Sequence, residues 1–178
     1  KKYNNRAVTI SRLEKQKNIF SLLNICKLSN LNLDIIGTGT QLNEIKKFDK
    51  RKNIDVRFFG QIENNEIPNL LSKYKFYITS SKIEGSPKAI MEAMSSELPV
   101  FGLKARGLNF LVINGRTGYL YSNIKNFLKK IILLKNYKKI LKNLGSNARD
   151  LIKKNFKFEK NINLLNKIIE KLINEKKY

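Results

Sequence analysis

From Ala7 to Tyr121 short apolar runs alternate with longer stretches whose apolar positions recur every three or four residues. The runs AVTIS (7–11), NLDIIG (32–37), IDVRFFG (54–60), KFYITS (75–80) and LPVFG (98–102) read as strands, with GYLY (118–121) as a short sixth. Between them KNIFSLLNICKLS, QLNEIKKFDK, NNEIPNLLSKY and PKAIMEAMSS carry the helical period. Strands and helices in alternation build a parallel sheet from βαβ units. Several of the strands are apolar on consecutive residues, as required when helices cover both faces. The fold class expected is therefore α/β, a Rossmann-like open parallel sheet with helices on both faces.

Beyond Tyr121 the pattern turns wholly helical, so a helical tail is expected from about residue 123. Phe158, Ile162, Leu165, Ile169 and Leu172 recur at helical spacing, with lysines on the other side of the same helix. Periodicity favours this last helix packing on its own sheet; a helix lying on a membrane surface is the alternative. No repeat or linker interrupts residues 1–178, which are read as a single domain.

Composition narrows the chemistry. The hydrophobic share, 42%, is that of a globular protein, and no apolar run approaches the roughly 20 residues that span a bilayer. The opening KKYNNRAVTI lacks the apolar stretch of a signal peptide, so a cytoplasmic setting is expected. Cys26 is the single cysteine and there is no histidine, which excludes an intrachain disulfide, a histidine-based triad and a histidine metal site. Lys and Arg number 36 against 14 Asp and Glu, a net charge of +22. Such a field attracts phosphate, whether of nucleic acid, anionic lipid or a sugar nucleotide. Lysines spread over a solvated surface account for the same number equally well.

Open parallel sheets bind ligands beyond the carboxyl ends of their strands, and four segments fall there. Arg12 and Lys17 follow the first strand; they are a diphosphate clamp or, on spacing alone, two more surface cations. Gly37 and Gly39 follow the second strand and permit tight turns or close backbone approach. GTGTQL lacks the third glycine of a dinucleotide fingerprint and follows the wrong strand for one. EGSPKAIMEAM follows the fourth strand. Pro87 suits the start of a helix, which sets Gly85 and Ser86 where free amides and the helix dipole favour phosphate. Glu92 then falls among Ala89, Ile90, Met91, Ala93 and Met94, in a helix that reads as buried nearly all round. A carboxylate there needs partners, which ribose hydroxyls or Lys88 would supply. NGRTGYL is a turn feeding a strand and is assigned no chemistry.

Taken in order, these segments resemble the C-terminal domain of family 4 retaining glycosyltransferases of the GT-B fold. The resemblance runs through the Arg12–Lys17 pair, IIGTG, VRFFG, Glu84 and Glu92 with seven residues between them followed by LPV, and INGRTGYL. It covers about residues 7 to 121. The resemblance implies that Arg12 and Lys17 neutralise the diphosphate and that Glu84 meets the sugar hydroxyls. It implies that Gly85 and Ser86 lie near sugar and phosphates, that Glu92 takes the ribose, and that Gly37 and Gly39 line the cleft with Gly60 and Gln61 near the base. It further implies no metal or other cofactor, a UDP-sugar ahead of a GDP-sugar, and an N-terminal Rossmann-like domain that holds the acceptor. That acceptor would be a glycan or a lipid-linked molecule of a bacterial surface polysaccharide or lipopolysaccharide, reached from the inner face of an anionic membrane. The last helix would then pack on that second domain.

This chain departs from the family pattern at four places. Ser11 and Asn18 stand where glycine is usual beside the clamp, and Glu97 replaces the glycine before LPV. ARGLNF (105–110), a segment expected to face the cleft, has Arg106, Gly107 and Phe110 in place of a glycine pair and a glutamate. Two rivals differ in class. A nucleotide-sugar epimerase of similar shape is expected to use histidine, which this chain lacks. A nucleic-acid-binding module predicts basic residues and aromatics gathered on one face, whereas the lysines here are dispersed and no nucleic-acid partner is expected.

Overall fold

The computed structural model describes residues 6–85, 87–156 and 158–175; Ser86 and the side chain of Phe158, both named above, lie outside what is described. Six strands form one sheet: β1 (Arg6–Ile10), β2 (Asn32–Ile36), β3 (Val56–Gly60), β4 (Tyr77–Thr79), β5 (Val100–Leu103) and β6 (Gly118–Tyr121). The connecting helices are α1 (Ile19–Leu28), α2 (Leu42–Lys52), α3 (Ile67–Leu71) and α4 (Lys88–Ser95). The tail is α5 (Ile124–Leu134), α6 (Lys138–Asn155) and α7 (Phe158–Glu175). The strand order is β3-β2-β1-β4-β5-β6 and every neighbouring pair is parallel. This is the doubly wound Rossmann order, in which the chain reverses direction across the sheet between β1 and β4.

Alternation along each strand sends side chains to two separate cores. Ala7, Leu33, Phe76, Ile78 and Phe101 enter one with the buried residues of α1 and α5. Val8, Ile36, Tyr77 and Val100 enter the other with those of α3 and α4. Helix α6 serves both: Leu141 and Leu144 pack in the first core, Ala148 and Ile152 in the second.

The amino edge of the sheet holds a buried polar network that apolar patterning does not reveal. Arg6 Nε donates to Asp34 Oδ1 at 2.6 Å and its Nη1 to Asp55 Oδ2 at 2.6 Å. The Tyr74 hydroxyl donates to the other Asp34 oxygen at 2.6 Å. Asp34 is fully buried, so each of these bonds offsets the desolvation of its charge.

Helix α7 departs from the sequence-based expectation. Among its described side chains Ile162, Leu165, Ile168, Ile169, Leu172 and Ile173 stay 39% to 55% exposed, so this apolar face is not buried on the sheet. Its period is that of a packed helix, and period alone does not say what a helix packs against.

Candidate functional site at the β1–β4 switch

β1 and β4 pair at a single position, Val8 with Tyr77, and the strands part beyond it. The Tyr77 hydroxyl bridges the gap, accepting from the Ile10 amide at 3.1 Å and donating to the Ile10 carbonyl at 2.9 Å. Past this point the chain leaving β1 folds over the chain leaving β2. The Ser11 amide donates to Ile36, the Leu13 amide to Thr38 and the Gln41 amide to Leu13, at 3.0, 2.8 and 3.0 Å. Gly37 and Gly39 make this stacking of loops feasible. A Cβ at Gly37, whose φ is 126°, would lie 2.1 Å from the Ser11 carbonyl oxygen, and one at Gly39 would lie 2.6 Å from the Leu13 backbone. The glycines thus answer first to backbone meeting backbone.

Lys17 ends a single 3-10 turn and Asn18 follows it in the left-handed conformation, φ 53°. That explains why glycine suits this position and why asparagine is accepted. The turn is tied to the end of β4: Ser80 Oγ donates to the Lys17 and Asn18 carbonyls at 3.1 and 2.8 Å, and the Lys82 amide to Gln16 at 3.0 Å. Residues 67 apart in sequence are thereby brought together. Lys17 Nζ lies 2.7 Å from Glu84 Oε1, with the two side chains only 14% and 11% exposed. The Glu84 segment has its own support, since its amide donates to the Arg106 carbonyl at 3.0 Å. Gly107, φ 91°, sits so close behind that a Cβ would be 1.9 Å from the Glu84 carbonyl oxygen.

The result is a cleft of about 710 Å³ at the carboxyl ends of the strands, lined by Arg12, Lys17, Gly37, Gly39, Gln61 and Glu84 among others. Six of the residues named from sequence are therefore gathered on one cavity. Ala89, Lys88 and Pro87 line it at the start of α4, where the first amides of a helix lack intrahelical acceptors and attract anions. Gly60 and Gly85 are not among the lining residues. Gly60, φ 67°, instead offers its carbonyl to the Gly37 amide at 2.6 Å. The segment from Arg106 to Phe110 contributes no lining residue either, contrary to expectation; it buttresses Glu84 from behind.

Glu92 occupies a different setting from the one expected. Helix α4 is amphipathic, burying Ile90, Ala93 and Met94 while Glu92 is exposed. The alanines and methionines on which the sequence expectation rested cover one stripe only. Glu92 lines an adjoining groove of about 410 Å³ with Pro68, Met91 and Phe156, and Lys88 borders both spaces. Partial desolvation raises the Glu92 carboxyl above its ordinary range, against the pull of Lys88. Both carboxylates act on one buried phenol: Tyr77 is pushed up to about 12 by burial, with the charges of Glu84 and Glu92 adding to the shift. Sequence reasoning passed over Tyr77 and Ser80, and weighed Lys88 only as a partner for Glu92. A strand ending in TSS was the available signal, because hydroxyls there can tie neighbouring loops.

The remaining departures are conformational. Glu97 has φ 60° at the end of α4, a left-handed position that favours glycine, and its carboxylate meets Arg149 at 2.9 Å. NGRTGYL acts as a turn, with Asn114 Oδ1 accepting from the Leu120 amide at 2.7 Å. Among the described residues no three His, Cys, Asp or Glu side chains are grouped as metal ligands, and no helix is long and apolar enough to cross a membrane.

Comparison with known proteins agrees with the geometry. The family model described as glycosyl transferases group 1 matches residues 1–151. An uncharacterized glycosyltransferase from Methanocaldococcus jannaschii is 29% identical over 160 residues, 88% of this chain and 45% of that protein. The UDP-Gal:alpha-D-GlcNAc-diphosphoundecaprenol alpha-1,3-galactosyltransferase of Escherichia coli is 28% identical over 177 residues, 93% of this chain and 46% of that one. A mutant of S. aureus TarM, solved in complex with Fondaparinux, alpha-GlcNAc-glycerol and UDP, superposes with a TM-score of 0.82 at 26% identity. The match covers 96% of this chain and 35% of that one. The chain thus spans about half the length of the curated relatives it matches. With this sheet order, this cleft and this match over most of its length, the chain belongs to the glycosyl transferases group 1 family.

Proposed function

We propose that this chain is the sugar-nucleotide-binding half of a retaining, metal-independent glycosyltransferase, whose acceptor sits on a separate N-terminal Rossmann-like domain. One observation carries the reading: Arg12, Lys17 and Glu84 converge on a single cleft at the switch point of a doubly wound sheet. The nucleoside diphosphate is the leaving group, and charge builds on its phosphates as the glycosidic bond breaks. Arg12 and Lys17, with the first amides of α4, stabilise that charge from fixed positions. They do so without a divalent ion. Glu84 accepts hydrogen bonds from sugar hydroxyls, and charge-assisted bonds of this kind both bind and orient. Glu92 holds the ribose from the adjoining groove and Gln61 borders the base, with Gly60 supporting the Gly37 turn beside it.

A UDP-sugar is favoured over a GDP-sugar, in keeping with the names of the Escherichia coli relative and the TarM complex. The former also supports a lipid-linked glycan acceptor, and the net charge of +22 suits work at an anionic inner membrane face. A melting panel of UDP-, GDP-, ADP- and dTDP-sugars tests the site. Stabilisation by a UDP-sugar is expected. Binding of random oligonucleotides with no response to UDP or GDP would instead favour a nucleic-acid module. Retention is tested by NMR of the product anomer made by the full-length enzyme.

A further inference from the structure

Lys17 and Glu84, each placed in the cleft to meet a different part of the ligand, meet one another at 2.7 Å. Each is held by its own anchors: the Lys17 carbonyl accepts from Ser80 Oγ, while the Glu84 amide donates to Arg106 and its carbonyl packs against Gly107. We propose that this pair is a selectivity element: it opposes binding of a bare nucleoside diphosphate, and yields when the nucleotide carries its sugar. The inference rests on the function proposed above and concerns the same site.

The pair meets three different surroundings in turn. Without nucleotide, the two charges neutralise one another in a setting where both are largely screened from water. A nucleoside diphosphate draws Lys17 away and leaves Glu84 unpaired beside a polyanion. An unpaired, nearly buried carboxylate is strongly disfavoured, so part of the attraction of Lys17 for phosphate is cancelled. A sugar nucleotide also takes Lys17, but its hydroxyls donate to Glu84 and remove that penalty. Once the sugar has left, Glu84 is again unpaired and competes for Lys17, which promotes release of the nucleoside diphosphate. Glu84 therefore acts twice, on the sugar directly and on the spent nucleotide through Lys17.

Calorimetric titration of this chain tests the exchange, with UDP, GDP, inorganic pyrophosphate, UDP-glucose, UDP-galactose and UDP-N-acetylglucosamine as probes. Glu84→Gln keeps shape and removes charge. It is expected to bind UDP and pyrophosphate about tenfold more tightly than the wild type, equivalent to about 1.4 kcal/mol, while its preference for sugar nucleotides over UDP shrinks. Lys17→Gln in the same background is expected to erase the gain, since no cation then remains to be released. UDP binding that is unchanged or weaker in a folded Glu84→Gln protein overturns the exchange and leaves the site assignment standing. Failure of wild type and Glu84→Gln alike to bind UDP or GDP overturns both. Circular dichroism reports folding, and if Glu84→Gln does not fold, Glu84→Asp carries the same test with a gain of about threefold.

Discussion

The sheet carries one shielded ion cluster at each of its edges, and the two are built differently. At the amino edge Arg6 is held from several sides: it donates to Asp34, to Asp55 and to the carbonyls of Leu33 and Asp55, and Tyr74 donates to the second Asp34 oxygen. At the carboxyl edge Lys17 and Glu84 share one contact in a cleft with space on its open side. A charge held by several fixed neighbours has little to offer a ligand and serves the fold. A charge with one partner and room beside it can exchange that partner. Satisfaction, more than burial, separates the structural cluster from the reactive one.

Breaking the amino cluster should have the largest effect. Asp34→Ala takes from Arg6 its fully buried counter-charge and from the Tyr74 hydroxyl its Asp34 acceptor, and is expected to remove about 3 to 5 kcal/mol of stability, read by urea unfolding; a loss well below about 1 kcal/mol would make the cluster ornamental. Next comes Arg12→Ala in the full-length enzyme, where transfer should fall by about 100- to 1000-fold with the melting temperature little changed. Turnover close to wild type would remove Arg12 from the site. Third is acidity. Desolvation raises the Glu92 carboxyl, so its charged form is present above that raised value and disappears as the pH falls through it. Sugar-nucleotide affinity should therefore weaken on acidification earlier than an ordinary carboxylate would cause, and Glu92→Gln should flatten that limb. Smallest is the effect of Lys17→Met on folding, expected at about 1 to 2 kcal/mol, the cost of leaving one nearly buried acceptor without its partner. A loss matching that of Asp34→Ala would erase the distinction between the two edges.

What could be read from the sequence depended on the range of the interaction. GYLY matches its strand to the residue and the other strands match to within a few, because short apolar runs and bounding turns are local signals. Gly37 and Gly39 stand out in the sequence as places for tight turns or close backbone approach, but the approach is to Ser11 and Leu13 of a neighbouring loop that no local window shows. Asn18 and Glu97 looked like mild losses of glycine, and both prove to be left-handed positions. The Arg6 cluster is not legible, since Asp34 interrupts an apolar strand and its partners lie far off at Arg6 and Tyr74. The Lys17–Glu84 pair depends on β1 and β4 lying side by side, which no window along the chain contains. Glu92 was misjudged for the opposite reason: a run of small and apolar neighbours suggested burial that the helix provides on one stripe only.

Helix α6 has a practical consequence for dissecting the molecule. Because Leu141 and Leu144 complete one core while Ala148 and Ile152 complete the other, and Gly145 lies against the Glu97 carbonyl at the end of α4, shortening the chain ahead of α6 would open both sides of the sheet at once. The cut would also free the back of α4, whose front lines the cleft. Any minimal ligand-binding fragment must therefore extend past Ile152, and α7 is the one segment of the tail whose described apolar side chains give no reason to keep it.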